Sequence, residues 1–329
     1  MKTSKDGWLR CEIDRDELRA LMARSDAKGL AHLAYFLGSL AAVGFAAFLA
    51  RDTLWAIPLF WLYGSIYGFC NSLIHETHHA TAFRTRQLNE VVHFLAGLMT
   101  LRNPAYDRRM HTRHHGKTGR SGSDPELAHP NPIVAWKLIA DLFWLRSAVT
   151  QPVLLVRQLF GRFTDDELRV LPVSERATVR WQAAAILGFY AALLAVSLAY
   201  QTWLPLLYTY LAHIYGGFVP RLYALTQHVG MPESSNDFRV NSRTCYYNPI
   251  ARAWYWNMNY HIEHHMFPLV PFHALPTLHD KLRDQMPPAS RSVFAAWREI
   301  VACVRRQNDE PGFAVRKSLP DTEMATGKT

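Results

Sequence analysis

The sequence predicts an all-α membrane protein, with four transmembrane helices in two hairpins and a cytoplasmic helical cap that holds a histidine-rich metal site. Three observations predict it. Four long runs carry no charge, the basic residues are distributed almost entirely on one side of those runs, and nine histidines fall into three five-residue boxes. The mean hydropathy of −0.09 looks soluble, but it averages apolar runs with a strongly polar remainder. The 49% hydrophobic content and the wealth of aromatic residues exclude a disordered chain. The four cysteines, Cys11, Cys70, Cys245 and Cys303, lie far apart with no C-x-x-C pair, which excludes a disulfide framework and a zinc ribbon.

The uncharged runs are Leu30 to Ala50, Thr53 to Leu73, Trp181 to Tyr200 and Trp203 to Val219. At about 1.5 Å per residue each is long enough to cross a hydrocarbon core of roughly 30 Å, the last with help from its flanks. They are apolar all round, whereas helices on the surface of a soluble protein carry an apolar stripe. Of the 36 Lys and Arg residues, only Arg51 falls in the two tight connections, Arg51–Asp52 and Gln201–Thr202. The rule that positive loops stay inside places both termini and the large middle segment in the cytoplasm. The first 28 residues alternate acids and bases with no apolar stretch, so no cleavable signal peptide fits.

Between the hairpins, Val91 to Leu101 is apolar but too short to cross, and reads as an interfacial or re-entrant helix. Ile133 to Phe163 mixes Trp136, Leu138, Leu142, Phe143 and Trp144 with Lys137, Arg146 and Arg157. It reads as helices in the headgroup plane, stopped by Pro152. The net charge of +9 is the mark of a cytoplasmic membrane face; no aromatic–basic nucleic-acid module is visible. The expected organisation is a cytoplasmic N-terminal segment (1–28), a membrane domain (29–285), and a C-terminal helix with a polar tail disordered from about Asn308 (286–329).

The boxes are His75-Glu-Thr-His78-His79, His111-Thr-Arg-His114-His115 and His261-Ile-Glu-His264-His265. On a helix, positions i, i+3 and i+4 share one face, so each box is expected to aim its three imidazoles at a single point. Imidazole suits iron, zinc, copper and nickel. Nine histidines exceed the four ligands of one zinc, so two metal ions of high coordination number are indicated, and iron gives such ligands a redox task.

The boxes, their order and the hairpin layout resemble the membrane fatty acid desaturase superfamily, which includes related hydroxylases and ketolases. Trp256-Asn-Met-Asn-Tyr-His-Ile-Glu-His-His-Met-Phe-Pro268, followed by Pro271, resembles the desaturase ending H-x-E-H-H-x-F-P-x-x-P, and Asp124-Pro125-Glu126 is similar to a D-P-E that trails the second box in relatives. The likeness covers about residues 30 to 285. It implies a non-haem di-iron centre that activates O2 and removes hydrogen from an unactivated C–H bond, with a separate electron donor. Box one departs from the commonest spacing: His75 and His79 supply i, i+4, leaving His78 as a third ligand or a neighbour. The resemblance also implies a lone ligand between boxes two and three, and His228 fits. Asn257 is expected one helical turn before His261, and Asp124, Glu76 and Glu263 are candidates to orient ligands. His213, inside the fourth run, is expected to be neutral and hydrogen-bonded, while His273 and His279 trail box three on a packing helix.

The function expected is desaturation of a fatty acyl chain in a lipid or thioester. The alternatives are desaturation of a small amino-acid-derived compound of the dihydrorhizobitoxine type, or hydroxylation or ketolation. A rival from another class reads His75-Glu76-Thr77-His78-His79 as the H-E-x-x-H of an intramembrane zinc protease; it leaves six box histidines unused. No H-P-G-G haem motif exists, so electrons come from another protein, and the basic face suits an acidic ferredoxin-like donor.

Overall fold

The computed structural model describes residues 1–3 and 7–320; the last part of the expected disordered tail lies outside the described residues. Among the described residues the chain is mostly helical, with one two-residue strand pair, Lys2–Thr3 against Leu9–Arg10. It forms two compact units. One comprises residues 25–113 and 136–222; the other comprises 1–24, 114–135 and 223 onward. The 29–285 segment therefore contributes to both.

The first unit carries the membrane helices. Asp26–Leu49, Ala56–His78 and Val173–Ala199 are long and apolar enough to cross a bilayer, in register with three of the four expected runs. Ser25 caps the first through its hydroxyl. Their outward faces are apolar: Phe45, Leu49, Ile57, Trp61 and Leu198 are all exposed, as expected for surfaces that meet lipid. Exposed Trp55, Tyr200 and Trp203 sit at the two tight connections, the position of an interfacial aromatic belt.

The fourth run is not one helix. It is broken into Leu204–Leu207, Tyr210–Gly216 and Phe218–Ala224, with Pro205 in the first turn of the first piece and Thr209 (φ −132°, ψ −98°) outside helical space. What replaces continuity is close packing. Gly216 lies directly on the backbone of Gly64, where neither residue has room for a Cβ, so Tyr210–Gly216 and Ala56–Gly68 approach through glycine. Tyr208 donates its hydroxyl to the Gly44 carbonyl (2.8 Å), and Tyr63 to that of Tyr208 (2.9 Å).

The segment 133–163 also differs from expectation. It forms Ala135–Leu142 and Leu145–Leu159, bent by 78°, and the break is at Trp144, whose φ is +59°. Pro152 lies inside the second helix without ending it. A proline there deprives the carbonyl four residues earlier of its N–H partner. That carbonyl belongs to Ala148, and the Tyr210 hydroxyl donates to it at 2.8 Å. A side chain from elsewhere in the unit thus replaces the bond the proline removes. Arg86–Thr100 is the expected short apolar helix.

The second unit packs Trp8, Cys11, Phe238, Tyr260, Met266, Leu275 and Leu278 into one core. Its C-terminal helix, Val293–Arg306, is capped by Ser292. Residues 308–320 lack helix but are tied down: Val315 N–H donates to the Gly230 carbonyl (2.8 Å), and Gln307 Nε2 to the Phe313 carbonyl (2.7 Å). Over 308–320 this polar, proline-bearing segment thus finds hydrogen-bond partners in the second unit.

Candidate metal centre

Box one closes the Ala56–His78 span, box two rides on the helix Pro104–Lys117, and box three on the helix His261–Met266. The boundary between the two units falls inside box two, between Arg113 and His114.

In the second unit, the ring nitrogens of His114, His228, His261 and His265 lie within 4.8 Å of one another. His261 Nε2 is 2.8 Å from His228 Nε2 and 3.0 Å from His265 Nε2. The outward nitrogens fix the tautomers. His228 Nδ1 lies 3.0 Å from the Asn241 carbonyl and His114 Nδ1 lies 2.8 Å from the Asp124 carboxylate, both pure acceptors, so each Nδ1 carries the proton. Thr118 donates its hydroxyl to the His114 carbonyl (2.7 Å), leaving its oxygen to accept from His265 Nδ1 at 3.3 Å. Three Nε2 atoms therefore present lone pairs toward one another and toward His261. Converging lone pairs repel unless a cation sits among them, so the donor set fits a transition metal that prefers imidazole.

The electrostatics agree. Burial, followed by neighbouring His114, pushes His228 down to about 4, and burial likewise drives His261 and His265 well below the ordinary histidine range. Neutral imidazole is the ligating form. For His114, burial opposes the charge, but Glu126 and Asp124 outweigh it and raise the pKa, which makes its Nε2 a stronger donor. The same unit holds His115 and His264, with ring centroids 4.9 Å apart.

The first unit brings together His75, His79 and His111. Their ligand atoms also lie within 4.8 Å of one another, with His79 Nε2 3.0 Å from His111 Nε2. His78 is not in this set. Its Nε2 stands 3.2 Å from Asp107, whose carboxyl, despite burial, is held below the usual range by Arg102 and His78.

A box does not aim at one point, contrary to expectation. The i, i+4 pair of box three, His261 and His265, joins His228 and His114, while His264 keeps company with His115. The i+3 position sits 60° round the helix from i, enough to separate the two. Of the expected orienting residues, Asp124 holds His114 and also accepts from the N–H groups of Gly119 (2.8 Å) and Glu126 (2.9 Å). Glu76 accepts from Thr81 (2.7 Å). Glu263 accepts from Thr244 (2.6 Å) and meets His279 Nδ1 at 2.5 Å, so it secures box three from behind. Asn257 is not helical: its φ is +53°, next to Trp256 at +52°, and its amide donates to the Phe272 carbonyl (3.0 Å). The turn Tyr255–Asn259 precludes the expected placement one helical turn before His261. His213 Nε2 meets the Met99 carbonyl (2.7 Å) and stacks on Trp144, a packing role. Sequence reasoning missed Asn241, Thr118 and Asp107; only Thr118, three and four residues past two box histidines, left a signal.

The fatty acid desaturase family model matches residues 52–297. The chain belongs to the fatty acid desaturase family. It is 28% identical over 241 residues to the human sphingolipid delta(4)-desaturase/C4-monooxygenase DES2, covering 70% of this chain and 68% of that one. The rat protein of the same name is equally similar over 244 residues, with the same coverage. A Xenopus tropicalis sphingolipid delta(4)-desaturase DES1 is 24% identical over 278 residues, 78% of this chain and 75% of that protein. The protein is thus a membrane oxidoreductase of the lipid desaturase and hydroxylase class, and the protease reading falls away.

Proposed function

We propose that this desaturase is an O2-dependent di-iron enzyme that inserts a C=C bond into a long aliphatic chain of a lipid. The observation that carries the reading is the convergence of the lone-pair Nε2 atoms of His114, His228 and His265 with His261. These four would hold one iron; within the first unit His75, His79 and His111 would be ligands of a second, with His78 an orienting neighbour on Asp107. Bound iron supplies the reductive activation of O2 that makes an unactivated C–H bond breakable. The chain's own residues keep His228, His261 and His265 neutral, fix the tautomers of His114, His228 and His265, and shield the set by burial. Two hydrogens leave adjacent carbons. O2 takes four electrons and four protons, half from substrate and half from an electron donor and solvent, and leaves as two waters.

Sphingolipid names among the relatives support a lipid chain as substrate over a small amino-acid-derived compound. The double name of DES2, desaturase and monooxygenase, favours one second reading: oxygen capture at the same carbon. The donor is a separate, acidic, ferredoxin-like protein attracted by the net charge of +9. Both termini and all boxes face the cytoplasm, supported by the single basic residue in the two tight connections.

The test is lipid mass spectrometry after expression in a host supplied with sphingolipid or acyl-lipid precursors. A product lighter by two hydrogens supports desaturation, and one heavier by one oxygen supports the second reading. Purified chain with stoichiometric zinc and an unchanged lipid profile would sink both. Reporter fusions at Arg51 and Gln201 should read outside, and one after Lys317 inside.

A further inference from the structure

His228 stands in no box, and locally its turn is closed by the Met231 N–H, which donates to the His228 carbonyl at 3.1 Å. Its segment is also gripped by residues far along the chain, all within the second unit. The backbone N–H of Arg243 donates to the Gln227 carbonyl (2.8 Å). The Arg243 side chain, fully buried, donates through Nη1 to the carbonyls of Thr226 (2.5 Å) and Val229 (3.2 Å), one on each side of His228. Its Nε is 3.1 Å from Glu299 Oε2, on the C-terminal helix. The other oxygen of Glu299 is 3.2 Å from Lys317 Nζ, which also donates to Ser290 Oγ (2.8 Å). Two residues past His228, Gly230 turns with φ +76° and accepts the Val315 N–H at 2.8 Å.

We propose that Arg243, Glu299 and Lys317 form a clasp by which the C-terminal helix and tail hold the Thr226–Gly230 segment, and with it His228, in the metal-binding set. The clasp rests on the di-iron reading for its consequence, but its geometry stands apart from it. Arg243 is a positioning residue. A guanidinium suits the task because its planar fork reaches two carbonyls and a carboxylate together, which a lysine ammonium does not reproduce. With two carbonyls fixed and the imidazole Nδ1 held by the Asn241 carbonyl, the Nε2 of His228 has one direction left.

The experiment uses the full chain in detergent and two readouts. Amide hydrogen exchange reports the segment itself. Arg243→Met and Lys317→Ala should speed exchange across residues 226–230 while leaving Ile262–Met266 unchanged, the arginine variant by more. Iron retention against a chelator reports the consequence: Arg243→Met should release iron about ten- to a hundredfold faster. Arg243→Lys should recover only part of that loss. A His228→Ala, Arg243→Met double variant should be no faster than His228→Ala alone, since the arginine acts only through that ligand. Unchanged exchange at 226–230 in the single variants overturns the clasp, as does an additive double variant. If Arg243→Met does not accumulate, Lys317→Ala and truncation after Gly312 carry the same test: unchanged exchange there is equally fatal. A wild-type chain that binds no iron overturns the di-iron reading, while hydrogen exchange still decides the clasp.

Discussion

Replacing Asp124 with asparagine removes one charge and changes one atom, and the consequences follow from what that carboxylate holds. Its side chain is 1% exposed. Oδ1 accepts from His114 Nδ1 (2.8 Å) and the Glu126 N–H (2.9 Å), while Oδ2 accepts from the Gly119 N–H (2.8 Å). An amide offers one acceptor oxygen. Placed at Oδ1, it sets its NH2 against the Gly119 N–H and buries an unmatched donor pair. Flipped, it leaves His114 Nδ1 without an acceptor and favours the tautomer with the proton on Nε2, which cannot bind a metal. Losing a hydrogen bond to a charged group costs about 1.5–3 kcal/mol. At roughly 1.4 kcal/mol per factor of ten, that is about a ten- to hundredfold loss in metal retention. On the di-iron reading, Asp124→Asn should therefore release iron from the His114 set faster in a chelator challenge, and in any case it should melt earlier in a thermal unfolding scan. The reasoning is refuted by a variant that matches wild type in both, since no orientation of the amide satisfies all three donors.

Three further outcomes rest on packing and burial. Gly216→Ala drives a Cβ into the Gly64 backbone, and overpacking of this kind costs about 1–3 kcal/mol; yield of folded protein in detergent should fall sharply, and normal accumulation would contradict the close helix approach. Tyr210→Phe strips the Ala148 carbonyl of the donor that offsets Pro152 and should destabilise by about 1–3 kcal/mol. In a Pro152→Ala background, where a backbone N–H returns, the same change should cost less, and equal costs would disprove the compensation. Burial pushes Cys11 up to about 11 and Cys245 up to about 12. Because only the thiolate reacts, iodoacetamide at pH 8 should leave both unlabelled in the folded protein, with labelling rising only as pH approaches those values; rapid modification at pH 8 would mean they are not buried.

The membrane helices were legible because lipid-facing surfaces must be apolar all round, and an uncharged run of about twenty residues is hard to produce otherwise. That argument carried Asp26–Leu49, Ala56–His78 and Val173–Ala199. It failed at 203–219, where composition passed but Pro205 and the Gly216–Gly217 pair had already marked breaks in an apolar run. Pro152 failed in the opposite direction. The local rule says a helix stops there, and it continues because a tyrosine hydroxyl 58 residues later in sequence fills the missing bond. A rule about one residue's backbone cannot see a distant donor.

The site divides along the same line. Box spacing marked which histidines share a helix face, and Asp124 lay close enough in sequence to be suspected of orienting one. What spacing could not do was sort the imidazoles into their separate clusters, since i and i+4 project nearly together while i+3 is rotated away. Thus His261 and His265 face His228, and His264 faces His115. The histidine outside the boxes shows the limit most sharply. His228 is placed by Asn241 on its Nδ1 and by Arg243 on its flanking carbonyls, thirteen to fifteen residues away, and Arg243 is in turn held by Glu299, fifty-six residues further on. A box histidine inherits its direction from its helix. A histidine on a loop must have its direction built by the rest of the fold, and the residues that build it carry no ligand chemistry of their own by which a sequence could betray them.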